Sequence, residues 1–286
     1  MRRLILAMLI GFNFALGTFA QANQTYRIVT PGPLDGHNVR NPFVEELLHL
    51  IFERQGLNLD LVYNDRTFTQ GRALKELSES DTINLNWSAT SKERQQNLRA
   101  IEIPLYQGLI GWRVLLIKQG EQSRFNTIES LEMLKSLVAV QRFDWPDYQV
   151  LKENGLNVEG NLSFENHSLA VNDGIADYFP RSVLEIVREA KESRNSGLSI
   201  ESSIILKYPA AYYFFVNKDN EELARVIEKG FRLLLKDGGY ISLFQAHFGE
   251  QLKSLKLDNR RVFNLKNSTF PSQGVVAASN NALFYE

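Results

Sequence analysis

The sequence predicts an α/β protein built as two lobes. Strand-like and helix-like segments alternate along most of the chain, as they do when helices cover a sheet. The alternation runs through two series of similar size. Long apolar strands at 111–118 ("GWRVLLIK") and 210–218 ("AAYYFFVNK") stand where the chain would pass between the series, and no Pro/Gly/Ser-rich linker separates them.

The first series opens with "TYRIVT" (25–30), a short β-branched run. "NPFVEELLHLIFERQG" (41–56) is a helix: Asn41 caps it, Pro42 suits its first position, Glu45 and Glu46 favour the positive end of its dipole, and Gly56 stops it. Phe43, Leu47, Leu50 and Ile51 repeat at helical spacing and form the face that packs on a sheet. "LNLDLVY" (57–63), "TQGRALKELSE" (69–79) and "TINLNWSA" (82–89) complete a β-α-β-α-β run, the pattern of a parallel sheet covered on both faces.

In the second series "TIESLEMLKS" (127–136) is a helix, "LVAVQRF" (137–143) a strand, "PDYQVLKENG" a helix opening at Pro146, and "LNVEG" (156–160) a strand. Residues 166–192 give a helix, a strand-like turn and a second helix, "SVLEIVREAKE". The run Tyr212, Tyr213, Phe214, Phe215 reads as a buried strand. Residues 219–249 form two helices parted at Gly238-Gly239. The tail from Leu252 lacks periodicity and is expected to pack over the first lobe or fray.

The N-terminus, "MRRLILAMLIGFNFALGTFAQANQ", has a basic start at Arg2 and Arg3, an apolar stretch from Leu4 to Phe19 and an A-x-A site at Ala20-Gln21-Ala22. Gly11, Asn13 and Gly17 interrupt the apolar run, which is shorter than the ~20 residues a membrane span needs. Residues 1–22 are therefore expected to be a cleaved secretory signal. The chain has 32 basic and 33 acidic residues, and losing two arginines with the signal leaves 30 against 33. No basic field argues for nucleic acid. There is no cysteine, so neither a disulfide nor a lipidated thiol is available, and burial alone must hold the core. These features lead us to expect a periplasmic, monomeric protein without a membrane anchor.

"NWSATSKERQQNLRAIEIPLY" (86–106) places Trp87, Ser88, Thr90 and Arg94 where a strand runs out. A guanidinium forms bidentate pairs with carboxylates, the hydroxyls can add hydrogen bonds, and the N–H groups of the following helix favour an anion. The residues alone are more simply read as Ser88, Thr90 and Ser91 capping that helix, with Arg94 on its wet face. The histidines at 37, 49, 167 and 247 have no metal-ligand spacing. There is no G-x-S-x-G and no thiol, so no nucleophile for acyl chemistry is visible, and neither a cofactor nor an enzyme is expected.

The closing segment "YYFFVNKDNEELARVIEKGFRLLLKDGGYISLFQAHFG" resembles that of the periplasmic solute-binding proteins of amino-acid ABC transporters, family 3, with the type II periplasmic-binding fold. Lys218-Asp219-Asn220, Glu222-Leu223, Asp237-Gly238-Gly239-Tyr240 and Phe248-Gly249 follow in the order of that family's K-D-N-x-E-L turn, D-G-x-Y helix and F-G end. "SATSKERQQNLRAIEIPLY" resembles the family's S-x-T-x-x-R segment, where the ligand's carboxylate is held, and "DGIADYFPRS" lies where it has G-x-x-D-A. The resemblance covers nearly all of the chain after the signal. It implies two lobes, 23–112 plus 208–286 and 113–207, joined by two crossover hinge strands and closing on a small ligand. It also implies an ABC permease or a membrane sensor as partner.

Three departures bear on the ligand. The family's small Gly-Ser/Thr-Thr turn after the strand near 137–143 is replaced by Arg142, Phe143, Asp144, Trp145 and Pro146. Trp145 and Arg142 would crowd the cleft mouth, offering a stacking face and a second cation, while Asp144 can cap the helix at Pro146. Where the family places an acid for the ligand's ammonium, the residues after Asp177 are Phe179, Pro180, Arg181 and Ser182. Arg181 then points to an anionic ligand or one without an amine, and Asp177 to a residue that orients backbone or pairs with Arg181. "TPGPLDGHNVRNPF" lacks the family's aromatic-Pro-Pro-Phe turn, which leaves His37, Arg40 and Phe43 as cleft candidates. The expected site is thus Arg94, Ser88, Thr90, Trp87, Arg142, Trp145, Asp177 and Arg181. A rival reading is a periplasmic dehydratase acting on a cyclic carboxylate, with Asp144 or Glu165 as proton carrier.

Overall fold

The computed structural model describes residues 24–32 and 41–271. The expected signal at 1–22, His37, Arg40 and the tail beyond 271 lie outside them.

The first lobe opens with β1 (Thr25–Gly32), α1 (Pro42–Glu53), β2 (Asn58–Thr67), α2 (Gln70–Glu79), β3 (Asn86–Ala89), α3 (Lys92–Asn97) and β4 (Leu98–Ile101). In the middle of the chain come β5 (Trp112–Lys118), α4 (Gln122–Asn126), α5 (Leu131–Lys135), β6 (Val138–Val140), α6 (Pro146–Glu153), β7 (Asn157–Glu159), α7 (His167–Asn172), β8 (Tyr178–Ser182), α8 (Ile186–Glu189), β9 (Leu198–Ile200) and β10 (Ile204–Lys207). The chain then returns through β11 (Tyr212–Asn217), α9 (Glu221–Asp237) and α10 (Gly239–Ser254), and ends in β12 (Arg261–Asn264).

The α/β class and the two-lobe fold hold, but the first lobe is not one parallel sheet. β1 and β2 pair in parallel, whereas β3 and β4 both pair antiparallel with β11. The return strand therefore enters between two strands of the first series. Tyr213 and Phe215 on one side of β11 pack with α2, and Phe214 and Val216 on the other join the face covered by α1, α9 and α10. With both faces of β11 covered, Tyr213, Phe214 and Phe215 are fully buried, and the period of two disappears from the sequence.

Capping follows the local chemistry. The Asn41 side chain accepts from Val44 N at 3.2 Å and Pro42 opens α1. Six apolar residues of α1 are buried, Phe43, Leu47 and Ile51 among them. α9 crosses α1 at Gly230, where a Cβ would lie 2.2 Å from the Ile51 carbonyl oxygen, so only glycine permits this approach.

The second lobe is built on a sheet in the order β12-β10-β5-β8-β6-β7, with β9 also pairing β5. β5 runs antiparallel to β8, β9 and β10, while β6 is parallel to both β7 and β8. Helix α8 is only Ile186–Glu189, shorter than "SVLEIVREAKE" suggests. Val183 N donates to Trp112 O at 3.0 Å, and the Glu189 side chain turns back to Arg181, which bends the chain away from a continuous helix. The lobes are joined where Gly111 meets Tyr208: a Cβ at Gly111 would lie 2.1 Å from the Tyr208 carbonyl, and Tyr208 N donates to Gly111 O at 3.1 Å.

The segment after α10, expected on the first lobe or frayed, instead crosses between the lobes. β12 adds in parallel to β10 at the edge of the second lobe's sheet, where Phe263 and Leu265 are buried. Asn154 and Lys266 exchange two hydrogen bonds at 2.8 and 2.9 Å, and Ser268 N donates to Glu153 Oε1 at 2.8 Å, tying the strap to the end of α6. The strap then reaches the first lobe. Lys92 N donates to Thr269 O at 3.0 Å, Lys92 Nζ to Ser268 O at 3.0 Å, and Phe270 packs on the cluster around Phe68 and Tyr213. The signal for this was faint: three apolar residues, Val262, Phe263 and Leu265, in a short, otherwise polar run.

Candidate functional site

Two cavities lie between the lobes, of about 540 and 470 Å³. They share a wall of Ile110, Glu185, Arg188 and Tyr212. Both volumes fall in the ~300–1,000 Å³ range of small-molecule sites.

The larger cavity has Gln70, Ala89 and Thr90 on its first-lobe side. Alternation along β3 sets this edge: Ser88 is fully buried and points inward, while Ala89 and Trp87 are half-exposed. Thr90 is 4% exposed, and its hydroxyl is buried without a hydrogen-bond partner. A buried orphan hydroxyl is costly enough that a site on a cavity wall is a natural place for a ligand to satisfy it.

Arg94 stands one layer behind, outside the cavity lining. Its Nη1 donates to Ser88 Oγ at 2.8 Å and to Ala89 O at 2.5 Å, and its Nη2 to Gln70 Oε1 at 2.9 Å. Of the five N–H donors of a guanidinium, two remain. Burial lowers the pKa of Arg94, opposed by Tyr212, by its neighbour Glu93 and by Asp147 of the second lobe, so its charge is felt across the cleft. Among the described residues Arg94 has no carboxylate partner.

The hydroxyls divide their tasks differently from either sequence reading. Ser91 caps α3 by accepting from Arg94 N at 3.2 Å, Ser88 braces the Arg94 guanidinium, and Thr90 is left to the cavity. Counted back from Arg94, the S-x-T-x-x-R pattern places its two hydroxyl residues on Ala89 and Ser91, one residue later than Ser88 and Thr90. The anion site expected at the start of α3 is not open either, because the strap carbonyl of Thr269 already takes Lys92 N.

The second-lobe side is dense in charge, and every charge is matched. Arg113, Arg142, Arg181, Arg188 and Arg194 face Asp144, Asp147, Glu185, Glu189 and Glu192. Arg113 pairs with Asp147 at 2.8 Å and donates to the Tyr208 hydroxyl at 2.8 Å, and that hydroxyl donates in turn to Asp147. Burial would lower the Arg113 pKa, but Asp147, Tyr208 and Glu185 outweigh it and raise it.

Arg181, expected to face the ligand and repel an amine, is instead consumed internally. It is 4% exposed, makes two 2.6 Å bonds to the Glu189 carboxylate and lies 3.1 Å from Glu185. Its guanidinium carbon lies 5.3 Å from the Trp145 ring centroid and 5.0 Å from that of Phe179. Burial works against its charge and is overridden by Glu185 and Glu189. The carboxylates come from the turn after β8 and from α8, beyond the stretch where the family pattern places its acid.

Trp145 lines the cavity and rests on Phe164 at 5.5 Å and on His167 at 6.3 Å. Arg142 also lines it, but both its Nε and Nη2 go to Asp144, at 2.7 and 2.6 Å. Asp144 therefore does not cap α6, whose N-cap position is Trp145 and whose first turn receives no capping hydrogen bond from that side chain. Trp87 lines the smaller cavity, with Phe43. Asp177 lines neither: it accepts from Val138 N at 2.7 Å and pairs with Arg124 at 2.8 Å, orienting backbone as expected but with a different arginine. Among the described residues no group of three or more His, Asp or Glu side chains is placed to hold a metal.

The sequence matches no protein-family model and no curated protein. Solved structures do share the fold. An ancestral arginine-binding protein bound to arginine superposes with a TM-score of 0.57 at 19% identity, over 79% of this chain and 99% of that one. The substrate-binding protein of an amino acid ABC transporter gives 0.56 at 14% identity, over 78% and 100%. A histidine kinase sensor domain with similarity to periplasmic binding proteins gives 0.57 at 17% identity, over 79% and 97%. The chain has the two-lobed α/β fold of the type II periplasmic binding proteins.

Proposed function

We propose that this protein is an exported solute-binding protein that captures a small carboxylate-bearing solute between its lobes. One observation carries the reading: Arg94, the cleft cation without a carboxylate partner among the described residues, sits behind a wall where the Thr90 hydroxyl is buried and unpaired. Five arginines and five acids lining the larger cavity neutralise one another, so Arg94 gives the cleft its excess positive charge. A ligand carboxylate would accept from Thr90 with the Arg94 charge directly behind it, and lobe closure would bury it.

With Arg181 neutralised, the second lobe does not by itself repel an amine, and the solute class is set by its carboxylate. The binding-protein and sensor-domain neighbours favour handing the liganded form to an ABC-type permease or to a membrane sensor. A proton-transfer enzyme is less well supported, because Asp144 gives both oxygens to Arg142 and Glu165 is exposed outside the cavity lining.

A thermal-shift comparison tests the reading. A carboxylate at ~100 times its Kd should stabilise the wild type by about 2.7 kcal/mol. Arg94→Ala should keep its circular dichroism spectrum and lose that shift. An equal shift in both proteins would sink the proposed clamp.

A further inference from the structure

The smaller cavity, of about 470 Å³, is lined by neither Thr90 nor Arg94. Five aromatic rings line it: Phe43 at the head of α1, Trp87 on β3, Tyr106, Tyr212 on β11 and Phe248 on α10, with Asn41, His247 and Gln251 among the polar side chains beside them. Phe43, Tyr106, Tyr212 and Phe248 fix one another. Phe43 lies 5.4 Å from Tyr106 and 4.9 Å from Phe248, and Tyr106 meets Tyr212 edge-on at 5.7 Å and 68°. The Tyr106 hydroxyl is held by Asn41 Nδ2 at 2.6 Å. By contrast, neither the Trp87 indole N–H nor the Tyr212 hydroxyl has a hydrogen-bond partner among the described residues. The chamber thus combines a rigid aromatic lining with two uncommitted donors.

Its charges lie at one end only. Glu185 and Arg188 stand on the wall shared with the larger cavity, and each is paired, Glu185 with Arg181 at 3.1 Å and Arg188 with Glu192 at 2.9 Å. The imidazole of His247 faces Glu46 at 2.8 Å. A molecule spanning both cavities therefore meets the ion pairs and Thr90 at one end and the five rings, with Asn41, His247 and Gln251 beside them, at the other.

We infer that the smaller cavity takes an aromatic ring, so that the solute is an aromatic carboxylate lying across both cavities. The inference rests on the carboxylate reading above and names its solute class. Ring edges and faces at fixed angles favour another ring over a saturated chain of equal area, because the quadrupoles of rings attract edge to face. A quaternary ammonium also suits a ring cage, but here it would approach Arg188 and the uncompensated charge of Arg94. A neutral ring has neither conflict.

Isothermal titration calorimetry with 3-phenylpropanoate, its saturated counterpart 3-cyclohexylpropanoate, glycine betaine and uncharged 3-phenylpropanol tests this. The wild type should bind 3-phenylpropanoate at least about tenfold more tightly than 3-cyclohexylpropanoate or glycine betaine. Trp87→Leu should erase that preference and Trp87→Phe should keep it, both in proteins whose unliganded melting is cooperative. Equal or tighter binding of 3-cyclohexylpropanoate or glycine betaine, or an unchanged preference in Trp87→Leu, overturns the inference. The two proposals fail separately. If Arg94→Ala abolishes binding of every carboxylate and no aromatic preference exists, the clamp stands and the ring site falls. If 3-phenylpropanol binds in a Trp87-dependent way while Arg94→Ala leaves 3-phenylpropanoate untouched, the ring site stands and the clamp falls.

Discussion

His167 should make the second lobe acid-sensitive. It is fully buried, with Trp145 at 6.3 Å, Phe164 at 5.8 Å and Phe179 at 4.9 Å between ring centroids. One ring nitrogen, Nε2, lies 3.3 Å from Leu162 O, and Nδ1 is buried without a partner. Burial lowers its pKa from 6.5 to about 4, against the pull of the Leu162 carbonyl and with the help of Arg181 and Arg142. The folded pKa lies below the unfolded one, so the unfolded chain binds the proton first as pH falls. Stability is complete above about 6.5 and drains away between 6.5 and 4. At ~1.36 kcal/mol per pKa unit, the full loss is about 3 kcal/mol. Urea unfolding of the wild type and of His167→Phe at steps from pH 7.5 to 4 measures it, because other titrating groups are common to both proteins. The wild type should lose about 3 kcal/mol more than the variant over that range. Parallel stability curves, or an imidazole titrating near 6.5 by NMR in the folded protein, would refute the reasoning.

Two further outcomes follow from the same structure. Glu189→Gln leaves the buried Arg181 with Glu185 as its nearest remaining carboxylate and should cost about 3 kcal/mol in urea unfolding, the low end for breaking a buried pair; Glu185→Gln, at a half-exposed acid, should cost about 1 kcal/mol or less. Truncation after Leu265 removes the ties to Asn154, Glu153 and Lys92 and the packing of Phe270, and should lower Tm by about 3 °C or more; an unchanged Tm would show that the strap ties nothing.

Much of the fold was legible because it rests on local rules. Asn41-Pro42 opens α1, Gly238 in the left-handed region separates α9 from α10, and the apolar runs of β5 and β11 are buried on both faces. What sequence did not disclose is long-range pairing. Nothing local says that β11 enters between β3 and β4, or that Phe263 and Leu265 seat on the second lobe. The site divides in the same way. Thr90, Arg142, Trp145 and Arg181 are brought to one cavity, because the first three follow the ends of β3 and β6 and Arg181 sits near the end of β8. The state of their charges was hidden, since Arg181 is neutralised by Glu185 and Glu189, and Arg142 by Asp144. Asp147 and Tyr208, which hold Arg113, come from separate segments and carried no motif.

On the proposed reading, a carboxylate brings the lobes together through Arg94. A distance between spin labels on exposed positions, Glu129 in the second lobe and Glu79 in the first, measures this directly. On addition of 3-phenylpropanoate the distance distribution should shift to shorter values in the wild type and stay fixed in Arg94→Ala. A wild-type distribution unmoved by saturating ligand, or one that shifts equally in Arg94→Ala, would contradict it.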